Sequence, residues 1–390
     1  MRPHRRRKAE RSRVGALLAF ALILFPASPL PAEQQTPVQG APSSWDKAAL
    51  ARMRTPPLGL PKVPIPDDNP ATAAKISLGR KLFFDRRLSF NNTMSCGICH
   101  VPEQGFSNNE LATAIGVEGR SLKRNAPALF NVAYQKRLFH DGRETSLETQ
   151  IFSPLLSPVE MANVSIGHLV EKVRNLADYA GAFERAFNGP ATIERMGQAL
   201  ASYQRTLLAG SSAFDRFYFG GDADALSALS REGFALFIGK AGCVRCHPIG
   251  KTEALFTDQG FHNVGSGFAS SQQAQGSAPV DVEIAAGLFV ALPREVIRSV
   301  GAPRLPDLGR FEVTLDPADL RRFKTPSLRN VALTAPYMHD GSLQSLEDVV
   351  QFYNRGGYNQ GGAPDPNLDS AIHPLGLDDK EMAALIAFLQ

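Results

Sequence analysis

Apolar residues recur at helical spacing in two segments that each run into a close pair of cysteines. Ile76, Gly79, Leu82 and Phe83 mark the first segment, and Leu226, Leu229, Gly233, Leu236 and Phe237 mark the second. A third amphipathic stretch closes the chain, from Asp378 to Gln390. It carries Leu385, Ile386 and Leu389 on one face, and Asp378 or Asp379 is placed to cap it. No run of alternating apolar residues bounded by hairpin turns stands out. The pattern predicts a mainly α protein with long irregular loops.

The first 32 residues differ from the rest. A basic run (Arg5, Arg6, Arg7, Lys8, Arg11, Arg13) precedes 12 apolar residues from Val14 to Phe25, followed by Pro26, Pro29, Pro31 and Ala32. This is the three-part plan of a secretory signal peptide. A spanning helix needs about 20 apolar residues, so an uncleaved anchor is the alternative that length disfavours. The expected product is Sec-exported to the periplasm, with no membrane span after signal cleavage. The leader also accounts for the basic balance. The whole chain is +4 and residues 1–32 are +6, which leaves the remaining 358 residues near −2. Nucleic-acid binding therefore has no electrostatic support. The mature length suits two domains, expected at 33–215 and 216–390.

All four cysteines fall in two motifs, Cys96-Gly97-Ile98-Cys99-His100 and Cys243-Val244-Arg245-Cys246-His247. C-x-x-C-H is the attachment signal of c-type haem: two thiols bond to the vinyl groups, and the adjacent histidine becomes the proximal iron ligand. A four-cysteine zinc site is the alternative. It does not call for a histidine after each pair, and the pairs lie 147 positions apart. Two covalently bound haem c groups are expected, on Cys96, Cys99 and His100 and on Cys243, Cys246 and His247.

A repeat lies downstream of each motif. PALFNVAYQKRLFHDGRETSLE at 127–148 corresponds to PSLRNVALTAPYMHDGSLQSLE at 326–347, with a constant offset of 199. The chain therefore reads as a duplicated haem module. The spacing from motif to repeat differs: His100 to His140 is 40 positions, and His247 to His339 is 92. The longer connection includes a polar, loop-like stretch from Ser266 to Pro279. Thr145 with Glu148, and Ser345 with Asp348, fit capping boxes that start a helix after each His-Asp-Gly. The second helix should run from Leu346 to about Arg355 and stop at Gly356-Gly357. Tyr353 falls in its last turn, where the offset places Pro154 in the first copy. A tyrosine oxygen can ligate iron and a proline cannot. The two haem sites should therefore differ, one filled and one open on the distal side. Met338 is the rival ligand, but its counterpart Phe139 makes packing the simpler role, as it is for Met161. His140 and His339 read as hydrogen-bonding groups rather than ligands. His168, His262 and His373 carry no clear signal. From the residues alone, Glu160 reads as a solvated loop carboxylate, and Gln150 as a side chain that hydrogen-bonds within its helix.

With these residues in view, the chain resembles the bacterial di-haem cytochrome c peroxidases, and within them the MauG-like branch. The likeness runs from LGRKLFFDRRLS (78–89) through RNAPALFNVA, FHDGR and PVEMA to FKTPSLRNVALTAPYMHDGS and the terminal helix. It implies two cytochrome c-like domains with a calcium ion between them. It places Gln150 and Glu160 in the peroxide pocket, and Asn125, Thr334 and the Pro336 carbonyl at the calcium. It also makes Tyr353 the sixth ligand of the second haem, where ordinary peroxidases have methionine. The loop AIGVEGRSLKRNAP (114–127) lacks the removable distal histidine of ordinary peroxidases. One departure concerns the tryptophan that usually stands between the haems: His140 takes its place here, and the only tryptophan is Trp45.

The expected function is a peroxide-using oxidoreductase. Electrons pass through the second haem to peroxide at the first, drawn from a small redox protein, either a cytochrome c or a cupredoxin. The alternatives are a MauG-like oxidase that modifies side chains of a protein substrate and a non-catalytic di-haem electron carrier. The motifs predict that the intact mass of the exported protein carries two haem additions. One addition, or bound zinc instead, contradicts the reading.

Overall fold

The computed structural model describes residues 41–266, 268, 279–293, 296, 306–357 and 365–390. The leader and most of the Ser266–Pro279 stretch lie outside them. Residues from Gln39 to Gln390 form one compact unit. Its helices are α1 (Ser44–Arg54), α2 (Ala73–Phe84), α3 (Cys96–Cys99), α4 (Leu147–Gln150), α5 (Phe152–Leu156), α6 (Ile166–Arg174), α7 (Ala182–Phe187), α8 (Ile193–Gln204), α9 (Ala213–Tyr218), α10 (Ala228–Ile238), α11 (Phe311–Thr314), α12 (Leu346–Asn354) and α13 (Asp379–Leu389). Among the described residues strands are few: β1 (Phe261–His262) pairs with β4 (Phe323–Lys324), and β2 (Val280–Ala285) pairs with β3 (Leu288–Leu292), both antiparallel. The mainly α expectation holds.

The helices before the two motifs are built alike. Thr72 caps α2 and Ser227 caps α10 through their side-chain oxygens. Each helix then crosses a partner at a glycine. A β-carbon on Gly79 would sit 1.9 Å from the Ala199 carbonyl oxygen of α8, and one on Gly233 would sit 1.9 Å from the Ala384 carbonyl oxygen of α13. Only a residue without a side chain admits such close backbone approach. The glycines in the apolar pattern thus mark the crossing points of two helix pairs.

Each pair carries its own core. Leu82, Phe83, Leu169, Val173, Met196 and Leu200 are buried together, with Cys96 and Cys99 packed against them. Phe214, Phe237, Phe256, Val350 and Leu385 form another cluster, with Cys243 and Val244 packed against it. Beside the second core, a buried bidentate ion pair joins the segment that carries Leu328 to α9. Both terminal nitrogens of Arg329 lie 2.8 Å from the oxygens of Asp215, and the same guanidinium donates to the carbonyls of Gly59 and Ala254. With every charge met, this group is held in one orientation.

The repeat noted in the sequence is also present in the backbone. Asn131 and Asn330 take φ of 60° and 58°, Phe139 and Met338 take 66° and 72°, and Gly142 and Gly341 take 69° and 66°. The bridge between Leu138 and Glu144 recurs between Tyr337 and Leu343.

Some expectations need correction. The first capping box does not form: Ser146, not Thr145, caps α4, and Glu148 is drawn into a pair with Arg205, 2.6 Å away, and a bond from Asn69. The second box forms between Ser345 and Asp348 as expected, α12 ends at Asn354, and Asp378 caps α13. Leu229 faces solvent rather than the core, at 46% exposure, and Leu226 precedes the helix. The long connection also contains the β2–β3 hairpin, which the sequence reading missed. Its signal was alternating Val282 and Ile284, then Leu288, Val290 and Leu292, around an Ala-Gly turn.

The crossings give a stability test. Gly79→Ala should destabilise the protein by about 1–3 kcal/mol, because the added methyl meets a fixed carbonyl. Gly167→Ala in α6, where nothing lies within 4 Å, should be neutral or stabilising. Chemical unfolding of both variants measures the difference.

Candidate haem sites

The two C-x-x-C-H segments form single tight turns. His100 N donates to the Cys96 carbonyl at 2.8 Å, and His247 N to the Cys243 carbonyl at 2.9 Å. This brings both thiols and the imidazole to one side. Each imidazole is then fixed from behind. His100 Nδ1 donates to the Phe106 carbonyl at 3.0 Å, and His247 Nδ1 donates to the Phe256 carbonyl at 2.7 Å. Because the partner is a carbonyl, the proton must reside on Nδ1, and Nε2 is left as a lone-pair donor. Burial pushes both imidazoles below their ordinary pKa, which favours the neutral form that a metal requires. Burial also holds Cys96 and Cys99 up at about 12 and Cys243 at about 11, so all three are thiols.

Both motifs open into one cavity of about 830 Å³. Its wall includes His100, His247, Gln150, Glu160, Pro154 and Tyr353. The sequence-predicted groups are thus brought to a common space. Glu160 is the carboxylic acid among them. Its Oε2 is buried without a hydrogen-bond partner among the described residues, and burial raises its pKa, offset only in part by Arg143 and a hydrogen bond from Ser157. The reading of Glu160 as a solvated carboxylate fails on that burial. The loop holding it is pinned by Val117 N, which donates to the Glu160 carbonyl at 3.0 Å. Tyr353 also faces the cavity, and its phenol is raised by burial first, then by the charges of Cys243 and Cys246.

Lys324 is a cavity-lining cation with no carboxylate in ion-pair reach among the described residues. It donates to Gln135 Oε1 at 2.8 Å, and burial holds it down at about 8. A buried cation without a counter-charge is costly. The space, the paired thiols, the free imidazole nitrogens and this unmatched charge together fit anionic haem.

His140 and His339 are hydrogen-bonding groups, as expected. His140 Nε2 donates to the Asn125 carbonyl at 2.9 Å, Asn125 N donates to the His339 carbonyl at 2.7 Å, and His339 stacks on Phe323. Burial pushes His140 down to about 3, so it stays neutral. Asn125 and Pro336 come together, with Asn125 Nδ2 3.2 Å from the Pro336 carbonyl and 3.0 Å from that of Ala112. Thr334 lines the same cavity, but its hydroxyl is turned to the Val331 carbonyl.

Sequence reasoning missed His262. Its ring is clamped between Asp258, at 2.8 Å from Nε2, and Asp369, at 2.6 Å from Nδ1. Asp258 N in turn donates to the Cys246 carbonyl at 2.8 Å. The clamp therefore braces the segment whose Phe256 carbonyl orients His247. Its three residues lie far apart in the chain, apart from the i, i+4 spacing of Asp258 and His262, so no motif announced it.

Comparison with known proteins agrees with this geometry. A family model described as di-haem cytochrome c peroxidase matches residues 73–224. MauG, a methylamine utilization protein of Methylorubrum extorquens, is 37% identical over 353 residues, covering 89% of this chain and 85% of the relative. The chain belongs to the di-haem cytochrome c peroxidase and MauG family. Another member, the cytochrome-c peroxidase IdrP1 of Denitromonas iodatirespirans, is 37% identical over 359 residues, covering 88% of each chain. The crystal structure of a MauG-like protein associated with microbial copper homeostasis superposes with a TM-score of 0.68 at 31% identity, covering 85% of this chain and 93% of that one. As a di-haem peroxidase family member, the chain is an enzyme, and the family implies two c-type haems. The paired motifs around one cavity are where this family member has room for them.

Proposed function

We propose that this protein reduces hydrogen peroxide at the haem of Cys96, Cys99 and His100, with electrons delivered through the haem of Cys243, Cys246 and His247. The observation that carries the reading is the buried Glu160 oxygen, unpartnered and facing the cavity beside the first motif. Bound haem supplies the iron that accepts peroxide and the redox equivalents for its reduction. The protein supplies the proton chemistry. Glu160 takes a proton from the bound peroxide and returns it to the departing oxygen, which leaves as water. Gln150, on the same cavity wall, orients the peroxide by hydrogen bonding. Pro154 offers no ligand atom, so it would leave room for peroxide at the first haem. Tyr353, on the cavity wall, would hold the second haem through its phenol oxygen, which would suit electron storage. Lys324 is placed to meet a haem carboxylate.

The same reading extends to the rest of the assembly. Asn125, Thr334 and the Pro336 carbonyl hold a calcium ion once the Asn125 amide is turned over to present its oxygen beside the carbonyls of Ala112 and Pro336. Hard oxygen ligands suit that cation. The backbone correspondence between the repeats supports two cytochrome c-like domains, 33–215 and 216–390, that arose by duplication. The leader supports export to the periplasm, and no helix among the described residues is long and apolar enough to cross a membrane. The donor is a small redox protein, a cytochrome c or a cupredoxin. A MauG-like oxidation of a protein substrate is the second reading, favoured by tyrosine at position 353.

Two variants test these roles. Glu160 must be ionised to accept a proton, and burial raises its pKa. The rate of peroxide consumption should therefore fall as pH is lowered through a value above the ordinary carboxylate range. Glu160→Gln should remove that limb and lower the rate about 10²–10⁴-fold. An unchanged profile contradicts the role. Tyr353→Phe should convert the second haem to high spin in the absorption and EPR spectra of the oxidised protein. If the spectra are unaltered, another group is the ligand.

A further inference from the structure

A file of aromatic rings runs outward from the first haem motif to solvent. Phe84 lies against Gly97, so close that a β-carbon there would sit 2.5 Å from Phe84 Cδ1. Phe83 lines the cavity, and its ring centroid is 5.0 Å from that of Phe84 and 5.1 Å from that of Tyr203. Tyr203, on α8, is buried, and its ring lies 6.2 Å from Trp45. Trp45 is the chain's sole tryptophan and stands 47% exposed in the first turn of α1. These separations are those of rings in contact.

Tyrosine and tryptophan are the members of this file that lose an electron readily; phenylalanine does not. The file thus holds two oxidisable stations, one inside and one at the surface. An oxidised tyrosine must shed its phenolic proton. Tyr203 meets no hydrogen-bond acceptor within the protein among the described residues, and burial holds its phenol up at about 12. An oxidised Tyr203 is therefore short-lived and is refilled by the next ring of the file, Trp45. Trp45 borders water, which can take an indole proton. Arg80 lies over the Trp45 ring at 5.1 Å, and its charge is matched by buried Asp46 at 3.2 Å. The local field consequently does not forbid a positive charge on the indole.

We propose that Trp45 is a surface electron-entry site for the first haem, with Tyr203 as its relay, serving macromolecular one-electron donors that cannot enter the cavity. The proposal rests on the peroxide-using reading above. One electron leaves the Trp45 indole, and its N–H proton goes to water. That electron would be one of the two that, with two protons, reduce hydrogen peroxide to two waters at the first haem site. A docked donor then returns one electron, a proton comes back from water, and Trp45 is restored. This route is distinct from the path through the second haem.

The second half offers a rival. Phe256 lies 5.0 Å from Phe214, which stacks 5.3 Å from Tyr218, itself 44% exposed. The test mixes oxidised holoprotein with one equivalent of hydrogen peroxide, without donor, in the presence of a nitroso spin trap, and locates the adduct by peptide mass spectrometry. The adduct is expected on Trp45. It should be lost in Trp45→Phe and fall several-fold in Tyr203→Phe, a change that keeps the ring packing. If the haem spectrum responds to peroxide while the adduct forms on Tyr218 or elsewhere and Trp45 stays clean, this proposal is overturned and the peroxidase reading stands. An unaltered Trp45 yield in Tyr203→Phe overturns the relay. A haem spectrum that does not respond to peroxide overturns both readings.

Discussion

Two hydrogen bonds from imidazole Nδ1 to a backbone carbonyl govern the arrangement of this protein. His100 gives its proton to Phe106, and His247 gives its proton to Phe256. Each bond fixes the tautomer and leaves Nε2 as the one nitrogen available to iron. Everything around the motifs holds those carbonyls in place. Val101 and Ser107 are bridged on one side, and Ser107 Oγ donates to the Ala126 carbonyl. On the other side, Asp258 N is bound to the Cys246 carbonyl and its carboxylate is bound to His262. The glycine crossings of α2 with α8 and α10 with α13 place the turns against their cores. The Arg329–Asp215 pair then fixes the segment around Leu328 to α9 beside the second core.

From this shared proximal plan the two sites diverge on the cavity side. Near the first motif stand a carboxylate with one oxygen unpartnered among the described residues, an amide and a proline. Facing the second stands a phenol. The bracing differs too, neutral around Ser107 and charged around His262. A carboxylate whose ionised form is disfavoured is suited to passing a proton back and forth. A phenol at an iron suits a centre that changes only its electron count. Symmetry in the proximal turns and asymmetry in the facing groups is what a division between chemistry and electron storage requires.

The sequence carried the parts of this plan that depend on side-chain identity. The cysteine–histidine turns, the helix glycines, the caps Ser345 and Asp378, and the repeated Asn and His-Asp-Gly turns were all legible. Other parts were not, for physical reasons. The carbonyls of Phe106 and Phe256 are backbone groups that any residue offers, so no spacing reveals them. Burial of Glu160 depends on packing against the distant Val117 segment. The first cap moved from Thr145 to Ser146 because Arg205, 57 positions beyond Glu148, captures that carboxylate. The His262 clamp draws on Asp369, 107 positions away. The β2–β3 hairpin had a local signal, and it was obscured by the polar stretch before it.

In the proposed division of roles, the first site is open to peroxide in the fully oxidised protein and the second is closed by Tyr353. Stopped-flow mixing of oxidised holoprotein with hydrogen peroxide, followed by haem absorption, tests it most directly. The account predicts a fast spectral change without prior reduction, one that is suppressed in Glu160→Gln. If the protein reacts only after one haem has been reduced, a further ligand occupies the first site, and the division of roles drawn here is contradicted.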